Sequence, residues 1–185
     1  ESIALSKKDM AMQDAAIRAY QDAIKLDPKM FSSQLGLGRL YVTRKEMEKA
    51  VIPLLEANKI KANDPEVSFN LGAAYIRLGQ KQVALQWLLQ AARQEQTAET
   101  YSLLGDIYSM EGIDDGRAAA SAYGKAVHAA NQDAKKNNTP LPPWYGESLY
   151  QWGRRSLDTG DEATAKKAWE QWLGMSPPPQ ATARR

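Results

Sequence analysis

The sequence contains no cysteine and one histidine among its 185 residues. Without cysteine there is no disulfide, no thiolate nucleophile and no zinc–thiolate site. His128 is the single imidazole, and because general-base work needs a partner within reach we expect it to have an ordinary packing or surface role in a predicted helix. The acidic pairs Asp114-Asp115 and Asp161-Glu162 lie at the starts of predicted helices, where carboxylates complement the helix dipole. We therefore predict a chain that is not an enzyme, with no catalytic residue, no cofactor and no metal site.

Long apolar runs and an excess of charge of one sign are also lacking. No run approaches the roughly 18 apolar residues of a membrane-spanning helix. The chain has 24 lysine and arginine residues and 22 acidic residues, for a net charge of +2. This near balance does not predict the basic surface that binds nucleic acid. We expect a soluble chain that partners with neither membrane nor nucleic acid, and RNA binding is the least favoured alternative.

The first residues, Glu1-Ser2-Ile3, include no methionine and begin neither a basic nor an apolar targeting segment. We expect a piece of a longer polypeptide. The cytoplasm is the expected compartment, and the periplasm stays open because a cysteine-free composition suits both.

What the sequence does contain is an internal repeat of about 34 residues. One column of the repeat reads Leu-Gly-x-x-Tyr and occurs at Leu37–Tyr41, Leu71–Tyr75 and Leu104–Tyr108. A second column is alanine, at Ala16, Ala50, Ala84 and Ala119. Small residues allow two helix backbones to approach, and large ones fill the space beside them. The period predicts stacked helical hairpins, which build an extended surface and favour binding over catalysis.

The hydrophobic pattern predicts one helix over 6–26, followed by four pairs at about 29–43 with 46–61, 65–78 with 81–94, 98–111 with 117–135, and 145–158 with 161–174. Predicted N-terminal caps are Ser6, Asp27-Pro28 and Asp64-Pro65. The predicted left-handed residues in the hairpin turns are Gly79, Gly112 and Gly160. Pro53 lies within a predicted helix and should bend it.

This pattern resembles the tetratricopeptide repeat over nearly the whole chain. Two copies keep most of the motif, at Leu37, Gly38, Tyr41, Ala50, Leu54 and Ala57, and at Leu71, Gly72, Tyr75, Gly79, Ala84, Leu88 and Ala91. The resemblance implies an all-α, right-handed solenoid of antiparallel helix pairs. The segments it implies are a partial repeat with a single second-type helix at 1–27, three pairs at 28–130, a Pro/Asn-rich insertion at 131–144, a last pair at 145–175 and a disordered tail at 176–185.

The resemblance also implies a protein-interaction scaffold or adaptor that holds its partner in a concave groove formed by the first helix of each pair. Helical projection assigns to this groove Leu35, Arg39, Val42, Phe69, Asn70, Ala73, Ile76, Arg77, Asp106, Met110, Tyr150 and Arg154. Its apolar members could anchor a partner, and its arginines could bind carboxylates. Trp144 and Tyr145 of the insertion are expected either to pack between helix pairs or to contact the partner.

The partner itself stays open at this stage: a peptide, a helix or a globular surface, including a small GTPase or a motility or secretion component. Capture of a C-terminal carboxylate, as in co-chaperone repeats, is disfavoured because Arg39 and Asp106 occupy positions where that binding mode requires other residues. The main alternative is end-to-end self-assembly, through the unpaired helix 6–26 at one end and Trp169 or Trp172 at the other.

Overall fold

The computed structural model describes residues 2–175, with side chains from residue 9 onward. These residues form nine α-helices and no strand, namely α1 (Ser2–Leu26), α2 (Phe31–Thr43), α3 (Met47–Ile60), α4 (Pro65–Arg77), α5 (Lys81–Gln94), α6 (Ala98–Tyr108), α7 (Gly116–Asn137), α8 (Tyr145–Asp158) and α9 (Glu162–Leu173). The prediction of an all-α chain of helical hairpins is confirmed. The predicted tail at 176–185 lies outside the described residues.

The chain divides into two compact units, residues 1–94 and 95–185. In the first unit α1 packs on α2, α2 on α3, α3 on α4 and α4 on α5; in the second, α6 packs on α7, α7 on α8 and α8 on α9. The division falls inside the segment 28–130, which the sequence analysis treats as one run of three helix pairs.

Glycines of the first unit mark where two helices of a hairpin approach most closely. A Cβ atom added to Gly38 would lie 2.5 Å from Leu54 Cγ, and one added to Gly72 would lie 2.6 Å from Leu88 Cγ. Both leucines are completely buried. The glycine column of the repeat is therefore a packing requirement, because the leucine of the second helix fills the space of a glycine side chain in the first.

The second unit uses larger side chains for the same contact. Tyr123 lies over Gly105, and a Cβ atom on Gly153 would lie 2.4 Å from Trp169 Nε1. The aromatic rings replace the leucines of the first unit without a change in the helix pairing.

The turns between the helices of a pair contain left-handed residues, as predicted. Gly79, Gly112 and Gly160 have φ angles of 73°, 87° and 84°. In the first hairpin Lys45 takes this conformation, with φ of 61°, where glycine would have been favoured.

Two of the predicted helix starts are wrong. α1 begins at Ser2, so Ser6 lies within the helix and does not cap it. α2 begins at Phe31, with Met30 at the cap position. The carboxylate of Asp27 instead accepts a hydrogen bond from the Lys29 N–H at 2.9 Å and closes a turn before the helix.

Two helix ends also differ from the prediction. α6 ends at Tyr108 and leaves Met110 in the following turn. α7 continues to Asn137, and the residue that caps its C-terminus, Asn138, is left-handed with φ of 51°. The first half of the predicted insertion 131–144 is therefore a helical extension. α3 runs without a break through the buried Pro53; its bend stays a prediction.

The cap at Asp64 is confirmed. Its carboxylate accepts hydrogen bonds from the N–H groups of Glu66 and Val67 at 3.0 and 3.2 Å, with Lys61 Nζ 2.8 Å away. Burial acts to raise the pKa of Asp64, but these hydrogen bonds, with the charge of Lys61, outweigh it and lower the pKa. The ionised carboxylate is thus the form that the fold stabilises.

Replacement of Asp64 with alanine should lower the free energy of unfolding by about 1 kcal/mol at neutral pH, because two N–H groups lose their acceptor. A lowered folded-state pKa contributes stability above the unfolded value of about 3.9, and this stability is lost as pH falls through the folded value. Urea unfolding, followed by circular dichroism from pH 7 to pH 3, should show the variant and the parent converging at acid pH. Asp27→Ala, which removes a carboxylate that caps no helix, is the matched control; an equal loss there would contradict the cap.

Candidate partner-binding surface

In the first unit the first helices of two successive pairs, α2 and α4, lie side by side. Arg39 of α2 and Glu66 of α4 join them, with Arg39 Nη1 2.7 Å from Glu66 Oε1. This hydrogen bond and the charge of Glu66 raise the pKa of Arg39. Both side chains are largely exposed, so the pair adds little stability and its two ends stay accessible. Arg39 is therefore accessible at the surface, but as one member of an ion pair with Glu66.

α4 presents an apolar strip beside an unpaired cation. Phe69, Ala73 and Ile76 are spaced three to four residues apart on one helix face, and all three are half-buried. Arg77 follows at the end of the helix, is exposed, and makes no hydrogen bond or ion pair with the described residues. Val42 of α2 is half-buried and packs partly against the core. The strip offers apolar area and a free guanidinium within one helix.

Two of the predicted groove residues are used by the fold itself. Leu35 is 9% exposed and belongs to the hydrophobic core of the first unit. Asn70 is 5% exposed, and its Nδ2 donates to the Glu66 carbonyl oxygen at 2.8 Å. We leave both out of the surface that we propose.

In the second unit the predicted residues lie in different settings. The half-buried Asp106 accepts a hydrogen bond from the Tyr123 hydroxyl at 2.9 Å. Tyr150 packs against Trp172, with ring centroids 5.6 Å apart and the ring planes tilted by 50°. Met110 is half-buried in the turn after α6, and Arg154 of α8 is exposed without a described partner. Of this set, Arg154 is the residue most available for binding.

Both aromatic residues of the insertion pack against helices. Tyr145 is 5% exposed, and its hydroxyl accepts a hydrogen bond from Asn131 Nδ2 at 2.7 Å. Trp144 is half-buried against a cluster that includes Ala98 and Leu149. The packing role therefore accounts for Tyr145, whereas a partner contact by the exposed part of Trp144 stays a prediction.

Arg155, which no sequence pattern singled out, holds the turn after α6. Its Nε donates to Ser109 Oγ and its Nη2 to the Ser109 carbonyl oxygen, both at 3.1 Å. Asp114 and Asp158 lie 3.7 and 3.6 Å from its Nη1. No sequence signal distinguishes Arg155 from Arg154, since they are adjacent in one helix and differ only in the face on which they lie.

Within residues 2–175 no three histidine, aspartate or glutamate side chains cluster so that they could hold a metal ion. No described helix is both long and apolar enough to cross a membrane.

The chain is similar to known repeat proteins in sequence and in structure. A sequence profile described as tetratricopeptide repeat matches residues 3–105. A crystal structure of MamA is 25% identical, with 91% of each chain covered and a TM-score of 0.72. A MamA structure from Desulfovibrio magneticus RS-1 is 18% identical, covers 97% of this chain and 94% of its own, and has a TM-score of 0.72. YrrB, described as a protein with an unusual peptide-binding site, is 18% identical over 92% of this chain and 81% of its own, with a TM-score of 0.68. No curated protein sequence matches the chain significantly.

Proposed function

The chain belongs to the tetratricopeptide repeat family, and from this premise we propose that it is a non-catalytic adaptor that binds another protein through the first helices of its pairs. The fold supports a protein-interaction scaffold in general, because stacked hairpins present extended surfaces. The peptide-binding site for which YrrB is described supports a peptide or helix as the kind of partner.

The observation that carries the proposal is the strip on α4. Half-buried Phe69, Ala73 and Ile76 could each gain burial under a partner side chain, and exposed Arg77 could bind a carboxylate with two parallel hydrogen bonds. The partner segment that fits is a helix or extended stretch with apolar side chains and one acidic residue beside them. Arg39 and Val42 of α2 complete the proposed contacts of the first unit. Arg154 is proposed separately, as a contact of the second unit.

The partner class, the compartment and the oligomeric state are also proposals. The proposed partner classes include a small GTPase and a motility or secretion component, and the cytoplasm is the proposed compartment. End-to-end self-assembly is the alternative; α1 exposes Met10 and Met12, and Leu173 at the end of α9 is 65% exposed. Light scattering over a range of concentrations tests this alternative, because end-to-end assembly raises the mean mass with concentration and a monomer at high concentration excludes it.

Substitution of Arg77 with glutamate should weaken partner binding at least tenfold, since a carboxylate contact becomes a repulsion. The partner is first captured with the unaltered chain and identified, and its affinity for purified variants is then measured by titration calorimetry. Arg93→Glu, on the exposed last turn of the second-type helix α5, is the matched control and should leave affinity unchanged.

Arg39 needs a different control because of its ion pair. Arg39→Glu should weaken binding, but part of that loss could come from repulsion of Glu66. In the double variant Arg39→Glu with Glu66→Arg the pair is restored with exchanged charges. Affinity that stays low in the double variant assigns the contact to Arg39 itself. Unchanged affinity in both Arg77→Glu and Arg39→Glu would show that the partner does not bind at this surface.

A further inference from the structure

The second unit contains a groove that shares no residue with the proposed partner-binding surface. Its volume is about 680 Å³, and it runs along α7 between the start of α6 on one side and α8 with the start of α9 on the other. All of its lining residues belong to the second unit.

The floor of the groove is apolar with one free donor. Ala120 and Gly124 of α7 line it together with Trp152 of α8. A Cβ atom on Gly124 would lie 3.1 Å from both Nε1 and Cε2 of Trp152, so the indole edge packs into the space that a side chain at residue 124 would take. Trp152 is half-buried, and its Nε1 donates to no described residue. A bound backbone carbonyl could accept this hydrogen bond.

The rim of the groove is positively charged. Arg117 and Lys125 are both exposed, and Arg117 makes no ion pair with a described residue. Lys125 Nζ lies 5.2 Å above the centre of the Tyr101 ring, which fixes the position of the ammonium group without neutralising it. The single carboxylate in the lining is Asp161, which caps α9 by accepting the Thr164 N–H at 3.0 Å. The unengaged charges of the lining are thus cationic.

The distance between Arg117 and Lys125 indicates which kind of ligand fits the groove. Arg117 and Lys125 are separated by eight helical residues, a rise of about 12 Å at 1.5 Å per residue. An extended peptide advances roughly 3.3 Å per residue, so side chains four residues apart on the same face span a similar distance. The side chain midway between them points to the same face and would lie on the apolar floor.

We propose that this groove binds an extended acidic peptide segment of the pattern Glu-x-Leu-x-Glu, with its carboxylates on Arg117 and Lys125 and its leucine over Ala120, Gly124 and Trp152. Single-stranded RNA is the competing ligand for cations with aromatic rings, but it needs an open ring face on which a base can stack. One face of Tyr101 is covered by Lys125, and Trp152 presents its edge beside Gly124. The lining therefore favours the peptide.

The test uses the full chain and a fluorescein-labelled peptide with one Glu-x-Leu-x-Glu motif, titrated by fluorescence anisotropy at low and at physiological salt. Saturable binding that weakens with salt is expected. Arg117→Glu and Lys125→Glu should each lower affinity at least fivefold, and the double variant more than tenfold. Arg117→Gln, which removes the charge without adding one, should give a smaller loss in the same direction.

Three controls make the result decisive. Lys167→Glu, an exposed lysine of α9 outside the groove, and Arg93→Glu, an exposed arginine of the first unit, should leave peptide affinity unchanged. Loss of peptide binding in Arg77→Glu but in neither groove reversal would assign the peptide to the first unit and overturn the proposal, so failure of the adaptor surface and failure of the groove are distinguished. A Gln-x-Leu-x-Gln peptide should bind at least fivefold more weakly. Equal binding of that peptide, insensitivity to both groove reversals with helicity intact, or tighter binding of a single-stranded RNA probe lost by the same reversals would overturn the proposal.

Discussion

Replacement of Leu88 with alanine is expected to lower the free energy of unfolding by about 2–5 kcal/mol, which is the usual cost of a cavity at a buried leucine. Leu88 is completely buried between α4 and α5, and its side chain fills the space above Gly72. Urea unfolding followed by circular dichroism measures the loss. Leu173→Ala, at a leucine that is 65% exposed, is the matched control and should change stability by no more than about 0.5 kcal/mol.

Gly72→Ala tests the same contact from the other helix, and its effect on stability should change sign when Leu88 is removed. In the unaltered chain, Gly72→Ala would bring a Cβ atom to 2.6 Å from Leu88 Cγ and 2.7 Å from its Cδ2. Overpacking typically costs about 1–3 kcal/mol, against about 1 kcal/mol gained from the higher helix propensity of alanine. In the Leu88→Ala background the clash is gone and the propensity gain remains. Gly72→Ala should therefore become stabilising there.

A double-mutant cycle over Gly72 and Leu88 measures this coupling directly. Gly79→Ala provides the control, because Gly79 has φ of 73° and no atom within 4 Å of an added Cβ. Its cost, about 1–2 kcal/mol for the left-handed conformation, should be the same with or without Leu88. A coupling near zero between Gly72 and Leu88 would contradict the packing account of the repeat.

The glycine and leucine columns could be predicted from the sequence because each depends on a contact within one hairpin. The two Asp-Pro pairs show where such prediction ends. Asp64 is buried and caps α4 with support from Lys61, whereas Asp27 is exposed and closes a turn three residues before α2 is capped. The dipeptide is the same in both, and the difference lies in the surroundings of the aspartate, which the local sequence does not specify.

For the candidate surface, too, the sequence predicts the position of a residue on its own helix but not what the neighbouring helices cover. Helical projection assigns Phe69, Ile76 and Arg77 of α4 to the groove, and these side chains are half-buried or exposed, but it also assigns Asn70, which is 5% exposed. That this face binds a partner stays a prediction. The projection likewise assigns Leu35 to a groove although the side chain is in the core. The reason is that α1 packs on α2, with the Tyr20 ring against Gly36. The width of a buried stripe depends on the neighbouring helices, and the repeat period does not contain this information.

Arg155 is the clearest contact that the repeat pattern could not indicate, because it joins residues 46 positions apart and has no counterpart in the other copies. Its guanidinium reaches both the hydroxyl and the carbonyl oxygen of Ser109, at the point where α6 ends. The side chain is 15% exposed, so water competes weakly for these hydrogen bonds. We expect this single side chain to hold the last turn of α8 against the turn after α6.

Arg155→Ala should lower the free energy of unfolding by about 1.5–3 kcal/mol, the range for hydrogen bonds that involve a charged group. Arg155→Lys should recover little, because an ammonium group cannot reach both oxygen atoms as the planar guanidinium does. The loss should persist in high salt, since it comes from the Ser109 hydrogen bonds and not from the exposed carboxylates of Asp114 and Asp158. Arg154→Ala, at the exposed neighbour, should change stability by less than about 0.5 kcal/mol. Urea unfolding at low and high salt measures all four effects, and full stability in Arg155→Lys would show that charge alone suffices at this position.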